Sequence, residues 1–127
     1  MEFPKVNCRR EELLTQFLEY TSRISHEAIT IVEGRRDLFA LKKIGFLPSI
    51  IVKGGLSNIE LVESLSDYSL IILLTDFDQE GRELYKTLKQ EIQLRKGEVD
   101  NRARHLLYQF CRANGISAIE DLSKFSI

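Results

Sequence analysis

Little in this chain of 127 residues points to an extracellular or membrane life. Its two cysteines, Cys8 and Cys111, lie far apart and outside any C-x-x-C spacing, so neither a disulfide framework nor a cysteine zinc site is expected. No apolar run approaches the roughly 20 residues that span a bilayer. The opening "MEFPKVNCRREELL" lacks the apolar core of a signal peptide, which makes a cytoplasmic location the default expectation, with no membrane partner. Internal repeats and low-complexity tracts are absent. A strong charge bias is missing as well: the formal net charge of -1 gives no global attraction to nucleic acid, so any such binding must come from local patches. What remains is the composition of a globular protein, 43% hydrophobic and 29% charged, long enough to bury a core as a single domain over 1–127.

The pattern along the chain is that of an α/β protein. Leu13, Leu14, Phe17, Leu18 and Ile24 recur near a helical period and predict an N-terminal amphipathic helix over about 8–24. "AITIVEG", "PSIIVKGG" and "SLIILLTDF" read as strands. Between and after them "RRDLFALKKIGF", "LSNIELVESLS" and "EGRELYKTLKQEIQLRKG" read as helices, closed by Gly45 in the first case and Gly97 in the last. Ser57 with Glu60 three positions on predicts a capping box. This alternation, over a core of about 28–96, favours a central, mainly parallel sheet of about four strands with helices on both faces. The strands are continuous apolar runs, as expected when both faces are covered. The basic segment over about 98–127 predicts a helix near 101–113 and a short one at "SAIEDL". It contains no obvious fourth strand, "GISAI" being the only candidate.

Chemistry concentrates at the strand ends. In parallel α/β sheets ligands bind beyond the carboxyl ends of the strands. Here those ends are Glu33-Gly34, Lys53-Gly54-Gly55 and the run Asp76, Asp78, Glu80, Gly81. Asp76 and Asp78, two apart on extended chain, point to one side. Like charges so placed repel, and a hard divalent cation such as Mg2+, or Mn2+, relieves that repulsion. "DFDQEG" also matches the first half of an EF-hand loop, but its twelfth position is Thr87 where a bidentate glutamate is needed, and a strand precedes it. It shares the D-x-D of aspartyl-phosphate phosphatases, except that Glu80 stands at the following motif position and the motif closes the third strand rather than the first.

"ITIVEGRRDLFALKKIGF" followed by "IILLTDFDQEGREL" resembles the Toprim domain over roughly Ala28 to Lys89. That domain is shared by type IA and type II topoisomerases, bacterial primases, OLD-family nucleases and the ribonuclease that matures 5S rRNA. Its signature is a Glu-Gly after the first strand and an Asp-x-Asp after a later one. The length is similar to that of small stand-alone Toprim proteins called primase-like. The resemblance implies a Toprim-type, Rossmann-like three-layer fold. It makes Glu33 a general acid/base or metal-linked carboxylate, Asp76 and Asp78 the Mg2+ ligands, and Gly34 and Gly81 points of close backbone approach. It implies Mg2+-dependent phosphoryl transfer on RNA or DNA, most simply phosphodiester hydrolysis. The alternative is a non-catalytic module that docks metal and nucleic acid inside a replication, repair or RNA-processing complex with partner proteins. Arg82 stands where topoisomerases carry another acidic residue, and 127 residues hold no catalytic-tyrosine domain, polymerase or zinc region, which argues against topoisomerase or complete primase activity.

Several residues admit two readings. Lys53 beside Gly54 and Gly55 either contacts phosphate or is a solvated loop residue. Arg35 and Arg36 open a helix, where cations oppose the macrodipole, so they either bind phosphate or form a solvated face. Glu80 joins the site or pairs along its helix. Arg102 and Arg104 in the basic tail either track a nucleic-acid backbone or lie on a solvated helix face. His26 and His105 lack metal-ligand spacing, and Tyr108 and Phe110 read as packing residues.

Overall fold

The computed structural model describes residues 5–65 and 70–125, with side chains from residue 11 onward. The elements are α1 (Lys5–Arg23), β1 (Ala28–Val32), α2 (Arg35–Lys43), β2 (Ser49–Val52), α3 (Asn58–Glu63), β3 (Leu70–Leu73), α4 (Gln79–Leu94), β4 (Val99–Asp100) and α5 (Arg102–Ala113). A 3-10 helix over Ile119–Lys124 follows. Ser69, the first residue of the expected third strand, and the last two residues of the tail lie outside the described residues.

The four strands form one parallel sheet in the order β2-β1-β3-β4. Val32 sits opposite Val52, Ile31 opposite Leu73, and Ile72 opposite Asp100. Period-two alternation sends Ala28, Val32, Ile72 and Leu74 to one face, where α1, α2, α5 and the 3-10 helix pack. Ile29, Ile31, Ile71 and Leu73 go to the other face, beneath α3 and α4. Every residue of β1 and β3 is buried, which is why both read as apolar runs, broken only by Thr30 in β1.

Two expectations about the sheet's far side need correction. The fourth strand is Val99–Asp100, not "GISAI". Gly115 instead takes φ 66 at the turn after α5, and Ile116 packs against the core. The left-handed residue that ends α4 is Lys96 at φ 65, one place before the expected Gly97. Gly97 is needed for space: a Cβ there would meet Ile92 Cγ2 at 2.6 Å. At α3 the capping box stands as expected, with Glu60 N–H donating to Ser57 Oγ at 3.1 Å and Ser57 N–H to Glu60 Oε1 at 3.0 Å.

The order of connections positions the site. From β1 the chain leaves through α2 towards β2, and from β3 it leaves through α4 on the opposite face towards β4. The loops after β1 and β3 therefore diverge, and a crevice opens between neighbouring strand ends. This is the topological switch point at which open α/β sheets bind ligands.

Candidate functional site

Glu33 leaves β1 at this crevice and Asp76 leaves β3. The carboxylate of Glu33 bridges the two strand ends, accepting a hydrogen bond from Asp76 N–H at Oε2 (2.8 Å). Asp76 Oδ1 accepts from Ile119 N–H at 2.8 Å, which ties the 3-10 helix to the crevice. Asp78 is the N-cap of α4, its Oδ1 accepting from Gly81 N–H at 2.8 Å. Each of these three carboxylates is thus pinned by one backbone N–H, and no hydrogen bond among the described residues engages its second oxygen.

Asp37 is a fourth carboxylate that the sequence reading missed. It is buried in the first turn of α2 and reaches back to Gly34 N–H at 3.0 Å. Its spacing of three from Gly34 was the available signal, since a carboxylate three places after an N-cap is a capping pattern. Burial raises its pKa, and the charges of Glu33 and Glu120 add to that rise. Asp76 feels the same surroundings more strongly. Burial, opposed by the Ile119 hydrogen bond and reinforced by the charges of Glu33, Asp37 and Asp78, pushes its pKa up to about 6.

Three features hold this loop in shape. Gly81 is buried against it, and a Cβ on Gly81 would lie 2.0 Å from the Asp76 carbonyl oxygen. Thr75 Oγ1 closes the turn by donating to the Gly81 carbonyl at 2.6 Å. Arg104 braces it from below. It is only 8% exposed, so it is no surface cation tracking a nucleic-acid backbone; α5 turns it inward against the sheet. Its Nη1 donates to the carbonyls of Thr75 (2.7 Å) and Leu73 (3.4 Å), and its Nη2 to that of Asp76 (3.2 Å). Burial lowers its pKa, while Tyr85 and the carboxylates of Glu33 and Asp76 act in the opposite direction.

The remaining candidates lie at varied distances from this chemistry. Lys53 Nζ curls back onto the Leu56 carbonyl at 2.8 Å. Gly54 takes φ 50 and donates its N–H to the Glu33 carbonyl at 3.0 Å, so that amide is already used in holding the β1 and β2 ends together. Glu80 is exposed in the first turn of α4. Arg35 and Arg36 are exposed on α2, Arg36 standing 3.9 Å from Glu120 in a largely solvated pair. Arg102 is exposed, its guanidinium 5.4 Å from the Tyr20 ring on the α1 side. His26 and His105 are exposed as well. Phe110 is core, and Tyr108 packs on Phe77 with ring centroids 5.4 Å apart.

Fold and crevice together define a doubly wound α/β domain with carboxylates at its switch point. The chain belongs to the Toprim domain family, whose model matches residues 28–110. The match runs past the motif region into α5, and so includes Arg104. Among curated relatives, a UPF0292 protein of Thermococcus sibiricus is 34% identical over 114 residues, covering 90% of this chain and 85% of that one. A UPF0292 protein of Methanocaldococcus jannaschii is 32% identical over 122 residues, covering 92% and 94%. A solved protein from Aquifex aeolicus superposes with a TM-score of 0.71 at 27% identity, covering 85% of this chain and 96% of that one. Toprim membership associates the chain with metal-dependent, nucleic-acid-related function. No helix among the described residues is long and apolar enough to cross a membrane.

Proposed function

We propose that this domain hydrolyses phosphodiester bonds in RNA or DNA with the help of a divalent cation, Mg2+ or Mn2+, held by Glu33, Asp76 and Asp78. The observation that carries the reading is the convergence at the switch point of three carboxylates, each fixed through one oxygen and offering the other. Among the described residues no group of three or more acidic, histidine or cysteine side chains is placed to hold a metal ion by itself. Mg2+ takes one or two carboxylates and completes its shell with water and substrate phosphate, so the proposed site does not require such a group. The raised pKa of Asp76 supports the fit: burial raises it first and the charges of Glu33, Asp37 and Asp78 add to it, and a bound cation would offset both.

Bound there, a divalent cation would polarise the phosphodiester and stabilise its developing charge. Glu33 Oε2 is committed to Asp76 N–H, so Oε1 either binds the cation or, where Asp76 and Asp78 hold the cation alone, takes the proton of the attacking water. The water oxygen forms the new P–O bond, the bond to the leaving oxygen breaks, and that oxygen is protonated from solvent. Asp76 and Asp78 keep their positions because the Ile119 amide and the cap of α4 fix them. Lys53, Arg35 and Arg36 remain the residues proposed to meet flanking phosphates. A single domain over 1–127 and partner proteins of a nucleic-acid-processing complex belong to this proposal.

The test is incubation of the protein with labelled structured RNA, single-stranded DNA and duplex DNA, with Mg2+, with Mn2+ and with EDTA. Cleavage should require the cation. Glu33→Gln should lower turnover by about 10²–10⁴-fold while leaving binding nearly intact. Binding without turnover in the unmodified protein, whatever the substrate and metal, would favour a docking module instead.

A further inference from the structure

Beside the carboxylate crevice, across the β3–α4 loop, α4 and α5 flank a cavity of about 320 Å³ that is largely open to solvent. Its apolar walls are the rings of Phe77, Tyr85 and Tyr108. Its rim carries Arg82, Lys86 and His105, all exposed and free of ion pairs among the described residues, and no carboxylate lines it. Arg104 forms the floor, its guanidinium 4.6 Å from the ring centres of both Phe77 and Tyr85. Asn101 completes the polar part. Its Oδ1 accepts from the Tyr85 hydroxyl (2.7 Å) and from Lys89 Nζ (2.9 Å), which leaves its amide nitrogen as the end able to meet a ligand. The cavity is therefore apolar and aromatic within, and cationic and hydrogen-bond-donating at its mouth.

We propose that this cavity seats one unpaired nucleotide of a single-stranded nucleic acid, the base against Tyr85 and Tyr108 and its phosphate on Arg82 and Lys86. The charge match selects an anionic ligand, and the aromatic walls select one with a flat π-face. The volume falls at the low end of small-ligand pockets, roughly 300–1,000 Å³, so it suits a single nucleotide. A base held in a duplex keeps its faces in the stack and cannot enter without being extruded. Stacking tolerates any base, so binding here selects strandedness more than sequence. The inference rests on the nucleic-acid reading above and deepens it. Phe77 sits between Asp76 and Asp78, so the cavity and the carboxylates share the β3–α4 loop. Both RNA and DNA offer this chemistry.

The test is anisotropy titration of short labelled single strands, one RNA and one DNA, in EDTA, with the matching duplexes as competitors. Single strands should bind more tightly than duplexes. Arg82→Ala/Lys86→Ala should weaken single-strand binding and flatten its salt dependence by one to two units. Tyr85→Leu should weaken it about tenfold or more, and a strand with an abasic position should bind less well to the unmodified protein but not to Tyr85→Leu. Circular dichroism and melting of each variant separate these effects from misfolding, and Lys86→Glu offers a fully exposed change should Tyr85→Leu fail to fold. Equal affinity for duplex and single strand, or no loss in the arginine–lysine and tyrosine variants, would overturn the proposal. Loss of single-strand preference in one nucleic acid only would assign the cavity to that source. Cleavage is measured on the same variants: tight single-strand binding through this cavity without turnover removes the hydrolysis reading alone, whereas turnover with cavity variants unaffected removes the cavity alone.

Discussion

Gly81 illustrates how much of this site is decided by single atoms. Its backbone needs no left-handed conformation. It needs the space a side chain would fill, because its Cβ would stand 2.0 Å from the Asp76 carbonyl oxygen and 2.5 Å from the carbonyl carbon. Backbone cannot rotate away as a flexible side chain can, so Gly81→Ala should cost about 3 kcal/mol, read as a lowered midpoint in urea unfolding. A loss of less than about 1 kcal/mol would mean that the loop relaxes freely and that Asp76 and Asp78 are less fixed than described. Asp76 gives the second residue-scale prediction, and its sign follows from proton linkage. Its folded pKa, about 6, lies above the ordinary value of 3.8, so between those values the native state binds more protons than the unfolded chain. The contribution of Asp76 to stability of the metal-free protein therefore rises as pH falls from about 6 to about 4. Asp76→Asn keeps an oxygen for the Ile119 amide and removes the charge. At pH 7 without metal it should be more stable than the parent by on the order of 1 kcal/mol, after allowance for solvent screening. That gain should shrink towards pH 4; a constant difference across the range would assign it to another cause.

At the scale of elements, α5 does work that its sequence hides. Arg102 and Arg104 lie in one basic run, yet one is at the surface beside Tyr20 and the other lies beneath the β3 end, bonded to three carbonyls. Arg104→Met should cost about 2–4 kcal/mol, because it removes the guanidinium that satisfies the carbonyls of Thr75 and Asp76. Arg104→Lys should recover only part of this, since one ammonium cannot reproduce the planar fork of donors. Arg102→Ala should cost no more than about 1 kcal/mol. Equal losses in melting experiments would mean that the two arginines are not divided in this way. Which of them turns inward depends on the rotation of α5 about its axis, and that is set by tertiary packing of Ala103, Leu107 and Phe110 rather than by local charge. The same reason explains what else was not legible. β4 is two residues long, too short for any periodicity, and exists because Ile71 and Ile72 offer it a register. Fully buried segments such as β1 and β3 were readable because burial on both faces writes a nearly continuous apolar run, and the positions of Glu33, Asp76 and Asp78 followed from where those runs stop. Asp37 was not, because a cap that joins a charged cluster looks like any first-turn carboxylate until the neighbouring strand is placed beside it.

The whole molecule sets acidic and cationic regions side by side across one loop: Glu33, Asp37, Asp76 and Asp78 on the crevice side, Arg82 and Lys86 around the aromatic cavity. Crowded carboxylates weaken the metal-free fold, and a cation bound to the native state alone must strengthen it. At one hundred times its dissociation constant such a ligand contributes about 2.7 kcal/mol. For a chain of this size that corresponds to a melting temperature higher by roughly 10 °C. Mg2+ should therefore raise the melting temperature of the parent well beyond what KCl of equal ionic strength achieves, since screening acts on both salts alike. Asp76→Asn/Asp78→Asn should begin from a higher metal-free melting temperature at pH 7 and show no further rise specific to Mg2+. Lowering the pH below about 6 should weaken the Mg2+ effect in the parent, because protons then compete for Asp76. The two directions are what make the experiment decisive. A substitution that merely damages the fold lowers the baseline, whereas removal of a repulsive cation site raises the baseline and abolishes the response. An equal response to Mg2+ in parent and double variant would place the cation elsewhere and take Asp76 and Asp78 out of the site.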